Sequence, residues 1–258
     1  MADATAHLVL TTVGVVLIST VFTACRVSGD EGRTPEHANI APILLFNGTG
    51  TSPGDVTALE KILSTEHLNY STVKSPQLNG MSESQIRQYR LLIVPGGNFE
   101  YIGKSLTSST TANIHNAVQN GLNYLGICAG AIFAGNSPYN GLNLTAGARF
   151  GFYAAEARGM RKAPVPVTAA GGQTIDQYWA DGPQLTGWGA VVGKYPDGTS
   201  AIAEGTFGNG WMILTGVHPE APASWRRGMA FRTPLNIDNA YAATLIRAAL
   251  NRELLPHY

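Results

Sequence analysis

At 258 residues the chain has room for one large domain or two small ones, and its 44% apolar content is that of a protein with a real core. Seventeen basic residues balance 17 acidic ones, no charge run stands out, and charged residues make up only 13% of the chain. That balance argues against a nucleic-acid partner, and two cysteines as far apart as Cys25 and Cys128 make neither a disulfide framework nor a metal knuckle. No cofactor or metal site is expected.

In chain order, Leu8 to Ala24 is an almost uninterrupted apolar run, short for a spanning helix and suited to an export signal or anchor. It ends Val21-Phe22-Thr23-Ala24-Cys25, which resembles a bacterial lipobox and makes Cys25 a candidate for lipidation. Phe22 stands where leucine is usual, and Met1 to His7 lacks Lys and Arg. Residues 1–25 therefore read as an address, giving an exported protein, secreted or membrane-tethered through its N-terminus. Residues 26–41 are polar and aperiodic and read as a tether, leaving 42–258 as the folded domain.

Ile43 to Phe46 reads as a first strand, Gly54 to Glu66 as a helix and Leu68 to Val73 as a second strand. Leu91 to Val94, with no alternation, reads as a strand buried on both faces, ending at Pro95-Gly96-Gly97. Thr107 to Asn120 is a helix with Ile114 and Val118 one turn apart, Leu122 to Ile127 a fourth strand, and another helix opens at Ala129. Such alternation predicts right-handed βαβ crossovers and a mostly parallel open sheet flanked by helices, an α/β fold. After about residue 140 the texture changes. Five short strands follow, at 165–168, 174–179, 187–194, 201–204 and 211–214, separated by turn chemistry such as Pro196-Asp197-Gly198. They read as hairpins added to the sheet. Asn239 to Arg252 closes the chain as an amphipathic helix, and no internal repeat is found.

The chemistry concentrates in three places. Gly126-Ile127-Cys128-Ala129-Gly130 joins a buried strand to a helix of small residues, the context of a nucleophile elbow. Its glycines leave room for a sharp, strained turn, and the thiol projects at the carboxyl edge of the sheet, beside a helix N-terminus that favours a thiolate. Downstream, Gly216-Val217-His218-Pro219-Glu220 ends another strand. His218 is placed to take the thiol proton, and Glu220, on the same face of an extended chain, to orient the imidazole. The order nucleophile, His, Glu separates this arrangement from that of the α/β-hydrolases. The backbone N–H of Gly97, or of Gly96, together with that of Ala129, is the candidate oxyanion hole.

Pro-Gly-Gly, Gly-x-Cys-x-Gly and His-Pro-Glu, in this order, resemble the class I glutamine amidotransferase-like superfamily, whose fold is flavodoxin-like. The resemblance is closer to the biotin-protein ligase N-terminal domain family, through Val94-Pro95-Gly96-Gly97, residues 121–131 and Tyr178-Trp179-Ala180-Asp181-Gly182-Pro183. It implies Cys128, His218 and Glu220 as a catalytic triad. Gly96, Glu100, Tyr178, Trp179 and Asp181 are candidates for the substrate pocket. It does not imply biotin ligation, because the Gly-Arg-Gly-Arg adenylate loop is absent from the sequence. True glutaminases usually carry Gln two residues after the second elbow glycine; here that position is Ile132. The expected activity is Cys-dependent cleavage of an amide or peptide C–N bond through a thioester, with a small-molecule amide or a peptide as substrate. The alternative is a non-catalytic small-molecule-binding or thiol-sensing domain of the same fold. Oligomeric state is not legible.

Overall fold

The structure, a computed structural model, describes residues 40–153 and 161–258. The apolar leader, Cys25 and nearly all of the polar tether lie outside the described residues. Among those described, no helix is long and apolar enough to cross a membrane.

Strand β1 (Ile43–Phe46) leads to helix α1 (Pro53–Thr65) and strand β2 (Tyr70–Val73). Two short helices, α2 (Ser75–Asn79) and α3 (Glu83–Ile86), precede β3 (Leu91–Val94). Then come α4 (Phe99–Lys104), α5 (Ser108–Gln119), β4 (Asn123–Ile127) and α6 (Ala129–Ala134). The later strands are β5 (Lys162–Ala169), β6 (Thr174–Ala180), β7 (Ala190–Lys194), β8 (Ser200–Phe207) and β9 (Gly210–Thr215), and α7 (Leu235–Asn251) ends the fold. Helices α2, α3 and α4, of four to six residues, were not anticipated; they are too short to generate a helical period.

All nine strands form one sheet in the order β2-β1-β3-β4-β9-β8-β7-β5-β6. The expectation of a mostly parallel sheet holds for one half only. Strands β2, β1, β3, β4 and β9 are parallel, whereas β9-β8-β7-β5-β6 pair antiparallel. The cause is connection length. Parallel neighbours need a crossover, and the tight turns that join β5 to β6, β7 to β8 and β8 to β9 permit only hairpins, while β5 pairs with β7 after the longer connection 181–189. These hairpins extend the first sheet, and Asn39–Tyr258 is one compact unit.

Alternate residues of the central strands feed two cores. Ile43, Leu45, Leu91, Ile93, Leu125 and Ile127 pack with Leu59 and Leu63 of α1 and with Leu245 and Ile246 of α7. Leu44, Phe46, Leu92, Val94 and Tyr124 pack with Ile114 and Val118 of α5 and Phe133 of α6. Burial on both faces explains the unbroken apolar runs, and each fully buried Leu or Ile contributes about 1.5–3 kcal/mol. The sheet is thereby rigid where it matters. Strand β9 lies beside β4 with Thr215 opposite Ile127, so the chain after each strand emerges at the same edge.

Candidate functional site

Cys128 takes φ 49° and ψ −104° between β4 and α6, a conformation L-residues rarely adopt. Its N–H donates to the Thr215 carbonyl at 2.7 Å, tying the elbow to β9. A Cβ at Gly130 would lie 2.0 Å from the Val94 carbonyl oxygen, so the turn closes only with glycine there. The thiol is turned toward the Ala180 carbonyl, 3.6 Å away.

Three residues past β9, His218 is 3% exposed, and its N–H donates to Tyr178 O at 2.8 Å. The edges of Tyr178 and Trp225 pack on the imidazole, with centroids at 5.8 and 5.7 Å. Below it lies Gly96, where a Cβ would come within 2.5 Å of the ring carbon Cε1. Glu220 Oε1 lies 3.0 Å from His218 Nδ1. A second carboxylate reaches the same nitrogen: Asp55 Oδ1, in the first turn of α1, at 2.9 Å. Sequence reasoning missed Asp55. Its one signal, Ser52-Pro53-Gly54-Asp55, has the form of a helix start, and Ser52 does cap α1 by accepting the Asp55 N–H. The side chain of Asp55, however, turns away to the imidazole.

Both acids lie on Nδ1, which leaves Nε2 as the ring nitrogen without an acid partner. Burial opposes charge on His218, but Asp55, the Cys128 sulfur and Glu220 together hold its pKa well above the ordinary 6.5. Burial pushes Glu220 up to about 8, with further upward contributions from Asp55. Burial would also raise Asp55; the imidazolium and hydrogen bonds from Glu220 and Ser52 outweigh it and bring the group below 3.8. At neutral pH the cluster is therefore a carboxylate at Asp55, an imidazolium at His218 and a neutral carboxyl at Glu220, whose Oε1 lies on His218 Nδ1 and whose Oε2 is buried without a hydrogen-bond partner. Asp55, His218 and Glu220 also form a group of metal-ligating type, with ligand atoms within 4.8 Å of one another. Both acids already spend their nearer oxygens on Nδ1, and all three side chains are at most 4% exposed. That geometry suits a proton relay better than an open coordination shell.

Gly97, with φ 144°, pairs with Thr51 as an isolated antiparallel bridge held by Ser52 N to Gly96 O, 2.9 Å, and Asn98 N to Gly50 O, 2.8 Å. In such a pair the N–H of Gly97 points away from Thr51. Gly97 and Ala129 both line a cavity of about 210 Å³ that contains Cys128, Phe99, Ile132, Arg161 and Asp181. Asp181 is ion-paired with Arg161 at 2.5 Å. The other pocket candidates lie elsewhere. Gly96 is buried under His218, Tyr178 supports the ring, and Trp179 is 2% exposed with its N–H on Gly182 O. Glu100 pairs with Lys104 one turn along α4. Its place just past the glycine turn suggested the pocket, but helix periodicity carries it outward.

Residues 41–161, under half of the chain, match the family model described as biotin-protein ligase, N terminal. That stretch contains the glycine turn and the elbow and stops short of His218. Among solved structures, a glutamine amidotransferase aligns with a TM-score of 0.58 at 16% identity, over 81% of this chain and 98% of that chain. The fold is glutamine amidotransferase-like. A glutamine amidotransferase from Thermotoga maritima aligns with a TM-score of 0.54 at 14% identity, over 82% of this chain and 96% of its own. A cytoplasmic protein from Salmonella typhimurium gives 0.52 at 11%, over 80% and 98%. No curated protein matches in sequence. In this glutamine amidotransferase-like domain the nucleophile candidate, the histidine and both acids come from the carboxyl ends of neighbouring parallel strands or the helix that follows one of them, where open α/β sheets keep their sites.

Proposed function

We propose that the domain is a Cys128-dependent amide hydrolase, exported and secreted or tethered to a membrane by the N-terminal apolar run. The observation that carries this reading is the strained Cys128 elbow, sharing one cavity with the backbone of Gly97 and Ala129. The imidazole held by two acids supports it. In the proposed reaction the thiol proton already rests on His218 Nε2, and the sulfur attacks the amide carbon as a thiolate. The N–H groups of Gly97 and Ala129 donate to the oxyanion, the role in which one donor is typically worth about 2.7–4 kcal/mol. As the C–N bond breaks, the imidazolium gives its proton to the leaving amine. Water, deprotonated by the same nitrogen, then cleaves the thioester and releases the acid. Glu220 and Asp55 hold Nδ1, which fixes the ring's orientation and leaves Nε2 to carry the exchanged proton. Ile132, where glutaminases usually carry Gln, argues against glutamine itself as the substrate.

A second reading is a thiol-sensing or small-molecule-binding domain, which the contact of the thiol with Ala180 O favours. The test is the alkylation of Cys128 by iodoacetamide across pH, read by mass spectrometry of its peptide, in the native chain and in His218→Ala. Hydrolase chemistry predicts an inflection well below the free-thiol value of about 8.5, abolished by the substitution. A slow rate that ignores His218 would remove the hydrolase and leave the second reading.

A further inference from the structure

The Cys128 cavity opens onto a neighbour. Ile132 lies one helical turn after Cys128 and so on the same face of α6. Together with Phe99 and Phe152 it lines both the Cys128 cavity and a second one of about 190 Å³. Pro138, Tyr139 and Phe150 continue the apolar lining of the second cavity, whose polar members are Asn136, Ser137 and Arg149. Phe99 packs on Tyr139 and Phe152 with centroids at 5.8 and 6.4 Å, and Phe152 stays 41% exposed. An apolar cavity of about 150 Å³ holds a benzene molecule, so one ring fits here. The acid in the Cys128 cavity, Asp181, pairs with Arg161 through Oδ2, and its Oδ1 is buried without a hydrogen-bond partner.

We infer that the second cavity is the acyl-group subsite of the Cys128 centre, and that the substrate is an amide whose acyl part carries an aromatic or branched apolar side chain. The inference rests on Cys128 being the nucleophile. The sulfur bonds to the acyl carbon, the C–N bond breaks with the proton passing from His218 to the amine, and water releases an apolar carboxylic acid. The cavity that receives the ring lies beside the thiol, so the acyl group fills it before the bond breaks.

Two chloromethyl ketones test it on the full chain without requiring turnover: chloroacetone and 1-chloro-3-phenylpropan-2-one, with the rate at Cys128 normalised to that of a free thiol. Burial of one phenyl ring predicts that the phenyl probe reacts about 10- to 100-fold faster, with saturation. In Phe152→Ala, and in Ser137→Trp, which fills the cavity by a different route, the ratio should fall toward one, with melting curves recorded to confirm folding. Fast, His218-dependent reaction of both probes at equal normalised rates would overturn the subsite and leave the nucleophile standing. Slow reaction of both, indifferent to His218→Ala, would overturn the nucleophile and the subsite with it.

Discussion

Two buried carboxylates on one imidazole nitrogen make a double-substitution experiment decisive. At neutral pH the negative charge rests on Asp55, while Glu220, pushed up to about 8 by burial, is neutral. Glu220→Gln replaces a neutral group with a neutral group of the same shape, so Cys128 alkylation at pH 7 should change by less than about threefold, the scale of one ordinary neutral hydrogen bond or less. Asp55→Asn removes the charge, but it also removes the like-charged neighbour that helps to keep Glu220 protonated. Glu220 then ionises in its place, at 3.0 Å from the same nitrogen. The loss should therefore stay near tenfold, about 1.4 kcal/mol. With both replaced, only the Cys128 sulfur is left to stabilise the imidazolium. A charge pair separated by about 4 Å at an effective dielectric of 20 is worth about 4 kcal/mol, so the double variant should lose close to 10³-fold. Alkylation rates across pH for the four proteins give the cycle, with the coupling energy as its readout. Two additive single effects, or a double variant that behaves like the native chain, would refute the shared role of the two acids.

Two further outcomes follow from the same geometry. Gly96→Ala places a Cβ within 2.5 Å of His218 Cε1, so the ring must shift; alkylation and any amidase activity should drop by about 10²-fold, the usual cost of a displacement near 1 Å, and unchanged rates would mean that the ring position is immaterial. Thermal stability should lose the contributions of Glu220 and Asp238 as pH rises from about 4 to about 8. Glu220 and Asp238 both have folded pKa values raised by burial, to about 8 and about 7, from 4.5 and 3.8. Each contributes stability that is full below its unfolded value and is lost as pH climbs through the folded one. Asp55, lowered, acts oppositely, at acid pH only. Melting curves of Glu220→Gln and Asp238→Asn should be flatter over that range, and native-like slopes would contradict the protonated assignments.

Much of this protein is written locally. Unbroken apolar runs specify doubly buried strands, because alternation disappears when both faces are covered, and all nine strands were legible in this way or from turn residues. The elbow is equally local, since Gly126 and Gly130 flank the one residue whose backbone must bend. The closeness of His218 and Glu220 follows from a two-residue spacing on extended chain. The order of strands is not local. No periodicity states that β9 inserts between β4 and β8, parallel on one side and antiparallel on the other, yet that insertion alone brings the chain before His218 beside the strand that ends at Cys128. Asp55 is further still, meeting His218 across 163 residues of sequence behind the signature of an ordinary helix start. A carboxylate at such a position caps its helix by default. Only the packing of α1 against the end of β9 gives it a stronger partner, and desolvation decides which of the two acids keeps its proton.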